Sequence, residues 1–359
     1  MEKVLTVVVP TYNMEQYLRY CLDSLCVGTG LEDLEVLVVN DGSTDASSAI
    51  AHEYEKKYPQ TFRVIDKENG NYGSCVNRGL SEARGKYIKI LDADDSFDTS
   101  NFEQFIAFLK GVDADLVLSD FAVVDMERQV RKIIRYGLGQ EKLFRMDDVC
   151  RTYVFQNMQM HAVAYRCERL RQLGYHQSEG ISYTDQQWVF IPMVAVETVA
   201  HFDGVVYKYL IGRDGQTMSP DVKLRSVSHT VRCAVDMASA YEQYKEEFIG
   251  KPVQEYLQAR LIPFVKDTYV FALTHYGDKT QWLLVSFDEA LKEASRDVYK
   301  LIGSKEVSSF MGFGYIDYWR RHRGMNMLIV KLLSRVYCMM LEMKRKRRGE
   351  DAMALPTAF

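Results

Sequence analysis

None of the seven cysteines pairs with another as C-x-x-C. That spacing excludes the common zinc modules and offers no disulfide framework, so a reduced, cytoplasmic protein is expected. No uncharged apolar run reaches the roughly 18 residues of a spanning helix. Met1-Glu2-Lys3 runs straight into a short apolar stretch that stops at Pro10, so no secretory leader is expected. The net charge is only −4, with a sequence pI ≈ 6.0, which argues against a general nucleic-acid binder. No G-x-G-x-x-G follows the first apolar run, which disfavours a nicotinamide dinucleotide site. Internal repeats and low-complexity tracts are missing too.

What is there is an ordinary globular composition, 47% hydrophobic and 26% charged, in 359 residues. That length allows two domains, or one domain with a substantial appendage. Val4–Val9 is a continuous β-branched run, the pattern of a central parallel strand buried on both faces. Asn13 and Gln16 then form a capping-box pattern for a helix carrying Met14, Tyr17, Leu18, Cys21, Leu22 and Leu25 on one face. Leu34–Val39, Phe62–Ile65, Tyr87–Leu91 and Asp115–Ser119 read as further strands, with helices between them. Ser100 and Glu103 offer a second capping box. Five alternations of strand and helix call for an α/β fold, a mainly parallel sheet with helices on both faces. Val123–Phe144 reads as a hairpin, and Val199–Leu210 as another turning at Asp203-Gly204. A boundary is expected near Pro220. Beyond it come helices without strands, with candidates at Val222–Phe248, Val253–Tyr276 and Asp288–Leu301.

The densest chemistry lies in Asp92-Ala93-Asp94-Asp95, directly after the apolar run Tyr87–Leu91. Open α/β sheets bind ligands at the carboxyl ends of their strands. Carboxylates crowded there repel unless a cation sits among them, and a hard divalent ion suits oxygen ligands. Alone, such a triplet is also what helix caps and solvated turns look like. Asn40-Asp41-Gly42-Ser43-Thr44-Asp45 follows the second strand and should reach the same edge. His161, a lone histidine beside apolar residues, reads as structural rather than as a ligand.

Val7-Val8-Val9-Pro10-Thr11-Tyr12-Asn13, Asn40-Asp41-Gly42-Ser43-Thr44-Asp45 and Asp92-Ala93-Asp94-Asp95, in this order and spacing, resemble the family 2 glycosyltransferases of the GT-A fold. The stretch Glu68–Ser74 followed by Val76-Asn77-Arg78-Gly79 resembles a bacterial, cell-surface polysaccharide branch of that family. The resemblance covers about residues 4 to 217. It implies a GT-A nucleotide-diphospho-sugar transferase domain over 1–220, with a nucleotide-binding half to residue 120 and an acceptor half after it, then a helical C-terminal region over 221–359. It implies an inverting, metal-dependent transfer of a sugar, with a UDP-sugar as the expected donor, to an acceptor hydroxyl.

By the same resemblance, Pro10, Thr11 and Tyr12 line the nucleoside pocket and Asp41 accepts from the base. Asp94, with Asp92 near it or near the ribose, binds Mg²⁺ or Mn²⁺. Asn77 lies in the donor loop, and Arg213 and Gln216 lie near the donor phosphates or the acceptor. Tyr183-Thr184-Asp185 matches the position of the general base, so Asp185 is assigned that role; it would serve equally as a helix N-cap. Many relatives carry an Arg where this chain has Val76, and the Q-x-x-R-W of processive synthases is absent, so one sugar per encounter is expected. Two readings compete: a catalytically inactive nucleotide-sugar-binding protein, and a sugar nucleotidyltransferase. The second needs a basic Gly-rich loop that Pro10–Asn13 does not supply.

Met325–Met343 is largely apolar, with Lys331, Ser334, Arg335 and Glu342 on one narrow stripe and Lys344–Arg348 after it. That pattern fits a helix lying at the inner face of a membrane, beside a lipid-linked acceptor, or else one packed on the protein.

Overall fold

The computed structural model describes residues 3–138, 143–213, 226–274, 278–310 and 312–323, with single positions between 328 and 343. Two compact units result, Met1–Thr217 and Met218–Phe359.

The first unit begins with the regular alternation β1 (Lys3–Thr11), α1 (Leu18–Asp23), β2 (Leu34–Asn40), α2 (Ser47–Lys57), β3 (Phe62–Asp66), α3 (Asn71–Glu82) and β4 (Gly85–Ile90). It continues with β5 (Ser96–Phe97), α4 (Thr99–Gly111), β6 (Leu116–Val124), β7 (Val130–Ile134) and β8 (Phe144–Arg145). The short helices α5 (Met146–Val149) and α6 (Tyr153–Gln156) follow, then β9 (Val163–Arg166), α7 (Cys167–Gln172), α8 (Asp185–Trp188) and β10 (Thr198–Leu210). The main sheet runs β3-β2-β1-β4-β9-β6-β10-β5, with β7 beside β6 and β8 beside β10.

All seven residues of β2 are buried, the behaviour of a strand covered on both faces. β1 pairs in parallel with β2 and β4, and β2 with β3. β9 is antiparallel to both of its neighbours, β4 and β6. β6 and β10 are again parallel to each other, and so to β4. The carboxyl ends of β1, β2, β4, β6 and β10 therefore share one edge of the sheet with the amino end of β9.

Several local expectations are corrected. The first helix does not start at Asn13: α1 covers only Leu18–Asp23, and Asn13 has φ 53, its side chain accepting from Thr44 N at 2.8 Å. The cap of α4 is Asp98, which accepts from Asn101 N at 3.1 Å; Glu103 instead binds Thr29 N at 3.0 Å. Residues 198–210 form one bulged strand rather than a hairpin, with register shifts at Phe202/Val205 and Val205/Tyr207. A Cβ on Gly204 would meet the Phe202 ring at 2.5 Å, which is why the bulge carries glycine.

The second unit is helical, over Val227–Gln243, Lys245–Phe248, Val253–Thr274, Asp278–Ala294, Arg296–Gly303 and Tyr315–Arg321, with one small two-stranded ribbon. Asp288 does not begin a helix. It lies within Asp278–Ala294, fully buried, accepting from Tyr269 Oη at 2.5 Å and pairing with Arg320 at 2.7 Å. The expected boundary at Pro220, Gln216, the basic run Lys344–Arg348 and most of Met325–Met343 lie outside the described residues. Positions 328, 332, 335, 336, 339, 340 and 343 are helical, and Leu328, Leu332, Met339 and Met343 are exposed. Among the described residues no helix is long and apolar enough to cross a membrane.

Candidate active site

The parallel registers Thr11↔Asn40 and Val8↔Ile90 bring the loops after β1, β2 and β4 out side by side. Hydrogen bonds then lace the first two loops together: Asp41 N donates to Thr11 O at 2.8 Å and Asn13 N to Ser43 Oγ at 3.0 Å. Pro10 lies in β1 opposite Val39, Thr11 ends the strand and is buried beneath the edge, and Tyr12 stands out from it, 49% exposed. The side chain of Asp41 accepts from Gly70 N at 2.9 Å and is ion-paired with Lys67. Lys67 was not foreseen, yet it occupies the same position after β3 that Asp41 holds after β2; the rule that found one could have found the other.

The loop after β4 carries the charge. Asp92 accepts from Tyr72 Oη at 2.9 Å. Asp95 accepts from Tyr207 Oη at 2.6 Å and from Leu210 N at 2.7 Å. Asp94 is ion-paired with Arg213, and its carbonyl accepts from Arg128 at 3.2 Å. Arg213 reaches it because β10 ends at this edge, and Arg128 because it turns the β6–β7 hairpin, with φ 59. Beside them a cleft of about 610 Å³ is lined by Asn13, Gln16, Tyr17, Asp45, Met126 and Arg213.

Burial, then the neighbouring charge of Asp94, pushes the Asp92 carboxyl up to about 7. The same two causes raise Asp95. Carboxylates this costly to ionise are the setting in which a cation is favourable. Under them lies His161, among the rings of Tyr207 at 4.7 Å and Tyr209 at 4.5 Å, its pKa held down to about 3 by burial and then by Lys89. Among the described residues its Nδ1 is buried without a hydrogen-bond partner. Asp92, Asp95 and His161 each offer one ligand atom, all within 4.8 Å of one another. Two carboxylates and an orphaned imidazole nitrogen fit a divalent metal ion. The expected pair was Asp92 and Asp94; only Asp92 belongs to this closest group.

Asp185 opens α8 as its first residue, and the cap is Thr184. The N-cap reading of Asp185 is therefore set aside by the geometry. Its charge reaches Tyr72 and Asp92 and raises both, after burial and their nearer partners. It thus faces the same edge. Tyr183, two residues before it, has φ 67, a strained value for a bulky side chain. The preceding loop is clamped to α3: Gly180 N donates to Gly70 O at 2.8 Å, and a Cβ on Gly73 would strike Ser178 O. Asn77, expected in the donor loop, instead bridges α3 to this segment, donating to Gln177 O and accepting from Gln177 N, both at 2.8 Å. Gln177, fully buried, passes the constraint on by donating to Thr184 O at 2.7 Å. Tyr72 lies in the stretch Glu68–Ser74 that carries the resemblance but was given no role there, and Gln177 and Tyr207 had no legible signal in the sequence.

Comparison with known proteins agrees with this geometry. The family model described as glycosyl transferase family 2 matches residues 6–174. The glycosyltransferase EpsH of Bacillus subtilis, itself described as putative, is 40% identical over 117 residues, 33% of this chain and 33% of that protein. The minor teichoic acid biosynthesis protein GgaB of the same species is 39% identical over 104 residues, 29% of this chain and 12% of that one. The matches thus span a third or less of those relatives. Among solved structures, residues 1–349 of S. aureus TarS in complex with UDP-GlcNAc align over 89% of this chain and 91% of that one, at 18% identity and TM-score 0.54. The fold is therefore of the GT-A glycosyltransferase type, and residues 6–174 are similar to glycosyl transferase family 2.

Proposed function

We propose that the protein transfers a sugar from a nucleotide diphosphate donor, a UDP-sugar, to an acceptor hydroxyl with inversion at the anomeric carbon. The observation that carries this reading is the meeting of the Asp92–Asp95 loop, Asp41 and Asp185 at one sheet edge, with Arg213 on Asp94. That TarS has been solved with UDP-GlcNAc supports the choice of base.

In this reading Tyr12 and Thr11 flank the nucleoside, and Asp41, held by Lys67 and Gly70 N, receives its base. Asp92 and Asp94 would hold Mg²⁺ or Mn²⁺, which when bound would supply Lewis-acid stabilisation of the charge on the departing diphosphate. Arg213 leaves Asp94 and places its guanidinium against the phosphates. Asp185 takes the proton of the acceptor hydroxyl as that oxygen attacks, a contribution of roughly 10²–10⁴ in rate. Asn77 and Gln177 keep the Asp185 segment in register with the donor helix. One displacement with one base inverts the centre. The relation to GgaB supports an acceptor in cell-envelope glycan synthesis. The exposed Leu328, Leu332, Met339 and Met343 support a helix face that lies on a lipid surface beside such an acceptor.

The test is thermal stability with UDP, with and without Mn²⁺. A ligand at a hundredfold excess over Kd stabilises by about 2.7 kcal/mol. The expected result is a rise in Tm with UDP that requires Mn²⁺ and disappears in Asp94→Ala. No response to any nucleoside diphosphate would overturn the reading and leave a scaffold without a donor site.

A further inference from the structure

We propose that His161 is a direct ligand of the divalent cation at the Asp92–Asp95 edge, and that it makes the site prefer a transition-metal ion such as Mn²⁺ over Mg²⁺. The inference rests on the donor-site reading above and specifies its metal chemistry.

Three observations carry it. Asp92 and Asp95 come from the loop after β4, and His161 from the turn entering β9; their ligand atoms lie within 4.8 Å of one another. His161 is 7% exposed, and among the described residues its Nδ1 takes no hydrogen bond. The ring is also held in place. Lys89 Nζ, itself fully buried, donates to His161 O at 2.7 Å and to Val163 O at 3.3 Å, fixing the turn that carries it. Tyr207 does double service: its ring packs edge-on against the imidazole, and its hydroxyl orients Asp95 at 2.6 Å. Tyr72 orients Asp92 in the same way at 2.9 Å. Outer groups that fix the ligands are a regular feature of metal sites.

The chemistry follows from the donor set. Two carboxylates alone suit Mg²⁺ and Mn²⁺ alike, whereas an imidazole nitrogen is a poor ligand for hard, strongly hydrated Mg²⁺ and a better one for first-row transition ions, Mn²⁺ being the weakest binder among them. A packing residue would make no such distinction between ions.

The full-length, metal-free protein should be titrated with Mn²⁺ alone and examined by electron spin-echo modulation, which detects ¹⁴N bound to manganese. Wild type is expected to give ¹⁴N modulation that is lost in both His161→Gln and Asp92→Asn. Mn²⁺ affinity should fall about tenfold or more in His161→Gln, with Mg²⁺ affinity changed much less. Bound Mn²⁺ without ¹⁴N modulation, modulation that survives in Asp92→Asn, or wild-type Mn²⁺ affinity in a folded His161→Gln would each overturn the proposal. Should His161→Gln fail to fold, wild type and Asp92→Asn decide the matter. UDP added to the same samples separates the two readings. A UDP response with no nitrogen signal keeps the donor site and removes His161 as a ligand; a nitrogen signal with no UDP response does the reverse.

Discussion

Two carboxylate sites stand at opposite edges of the same sheet and are built on opposite terms. At the amino end of β6, Asp115 is 1% exposed and fully engaged. It accepts from Arg169 Nε at 2.8 Å, and from Glu197 N, Thr198 N and Thr198 Oγ1, each at 3.0 Å. Burial alone would raise its pKa, but these donors outweigh burial and hold it below the usual range. At the carboxyl end of β4, Asp92 and Asp95 have phenol and amide donors but are crowded by Asp94, and their pKa values rise. A carboxylate given a cation and three further donors fastens strands. Carboxylates gathered against one another are an expense to the fold that only a ligand relieves, and such sites are where stability and function part.

The contrast is broken most forcefully at the structural edge. Asp115→Ala removes the partner of Arg169 and of the amides opening β10, and should cost about 3–5 kcal/mol, as loss of one partner of a buried pair does. Urea midpoints measure it, and the Mn²⁺-dependent response to UDP should persist wherever the variant is folded. A loss below about 1 kcal/mol would mean that Asp115 is not the fastening it resembles. At the functional edge, Asp185→Asn should do the converse. UDP release from a turned-over UDP-sugar should slow by roughly 10²–10⁴, while the urea midpoint and the Tm response to UDP stay near those of wild type. Equal turnover by the variant would remove Asp185 as the base.

How far this edge was legible depends on how local its causes are. The apolar runs of β1 and β2, each followed by a polar turn, announce the parallel core and the place of Asp41 without any knowledge of neighbours. The carboxylates after β4 are legible for the same reason. Asn13 and Glu103 misled because each had a local use as part of a capping box, and each was taken by a partner far along the chain, Thr44 and Thr29. Asn77 belongs with them: its sequence neighbours point to the donor, but its amide is spent on Gln177, a hundred residues away. Met160–Tyr165 has the pattern of a strand, but so short a stretch does not say which neighbours it pairs with, so the antiparallel insertion of β9 between β4 and β6 was not legible. That insertion is what sets His161 under Asp92, so the histidine read as structural acquired its neighbours from topology alone.

The smallest expected effect is also the one that most sharpens the contrast, because its sign differs between the edges. A carboxylate whose folded pKa lies below its unfolded value near 3.9 stabilises the protein above that value and loses the contribution as pH falls through the folded pKa. That is Asp115, and its share is lost only in acid. Asp92 runs the other way. With its folded pKa pushed up to about 7, the folded state binds more protons than the unfolded chain between about pH 4 and 7, so stability falls as pH rises through that window. Asn at this position accepts from Tyr72 without the charge. Metal-free Asp92→Asn should therefore gain on wild type between pH 5 and pH 8, by at most about 2–3 kcal/mol, the worth of the two pH units below a pKa of about 7. Urea midpoints at the two pH values check it. Saturating Mn²⁺ should erase the advantage, since the cation relieves in wild type what the substitution relieves in the variant. Parallel pH curves for the two metal-free proteins would mean that Asp92 ionises freely in the fold, and that both edges are built on the same terms.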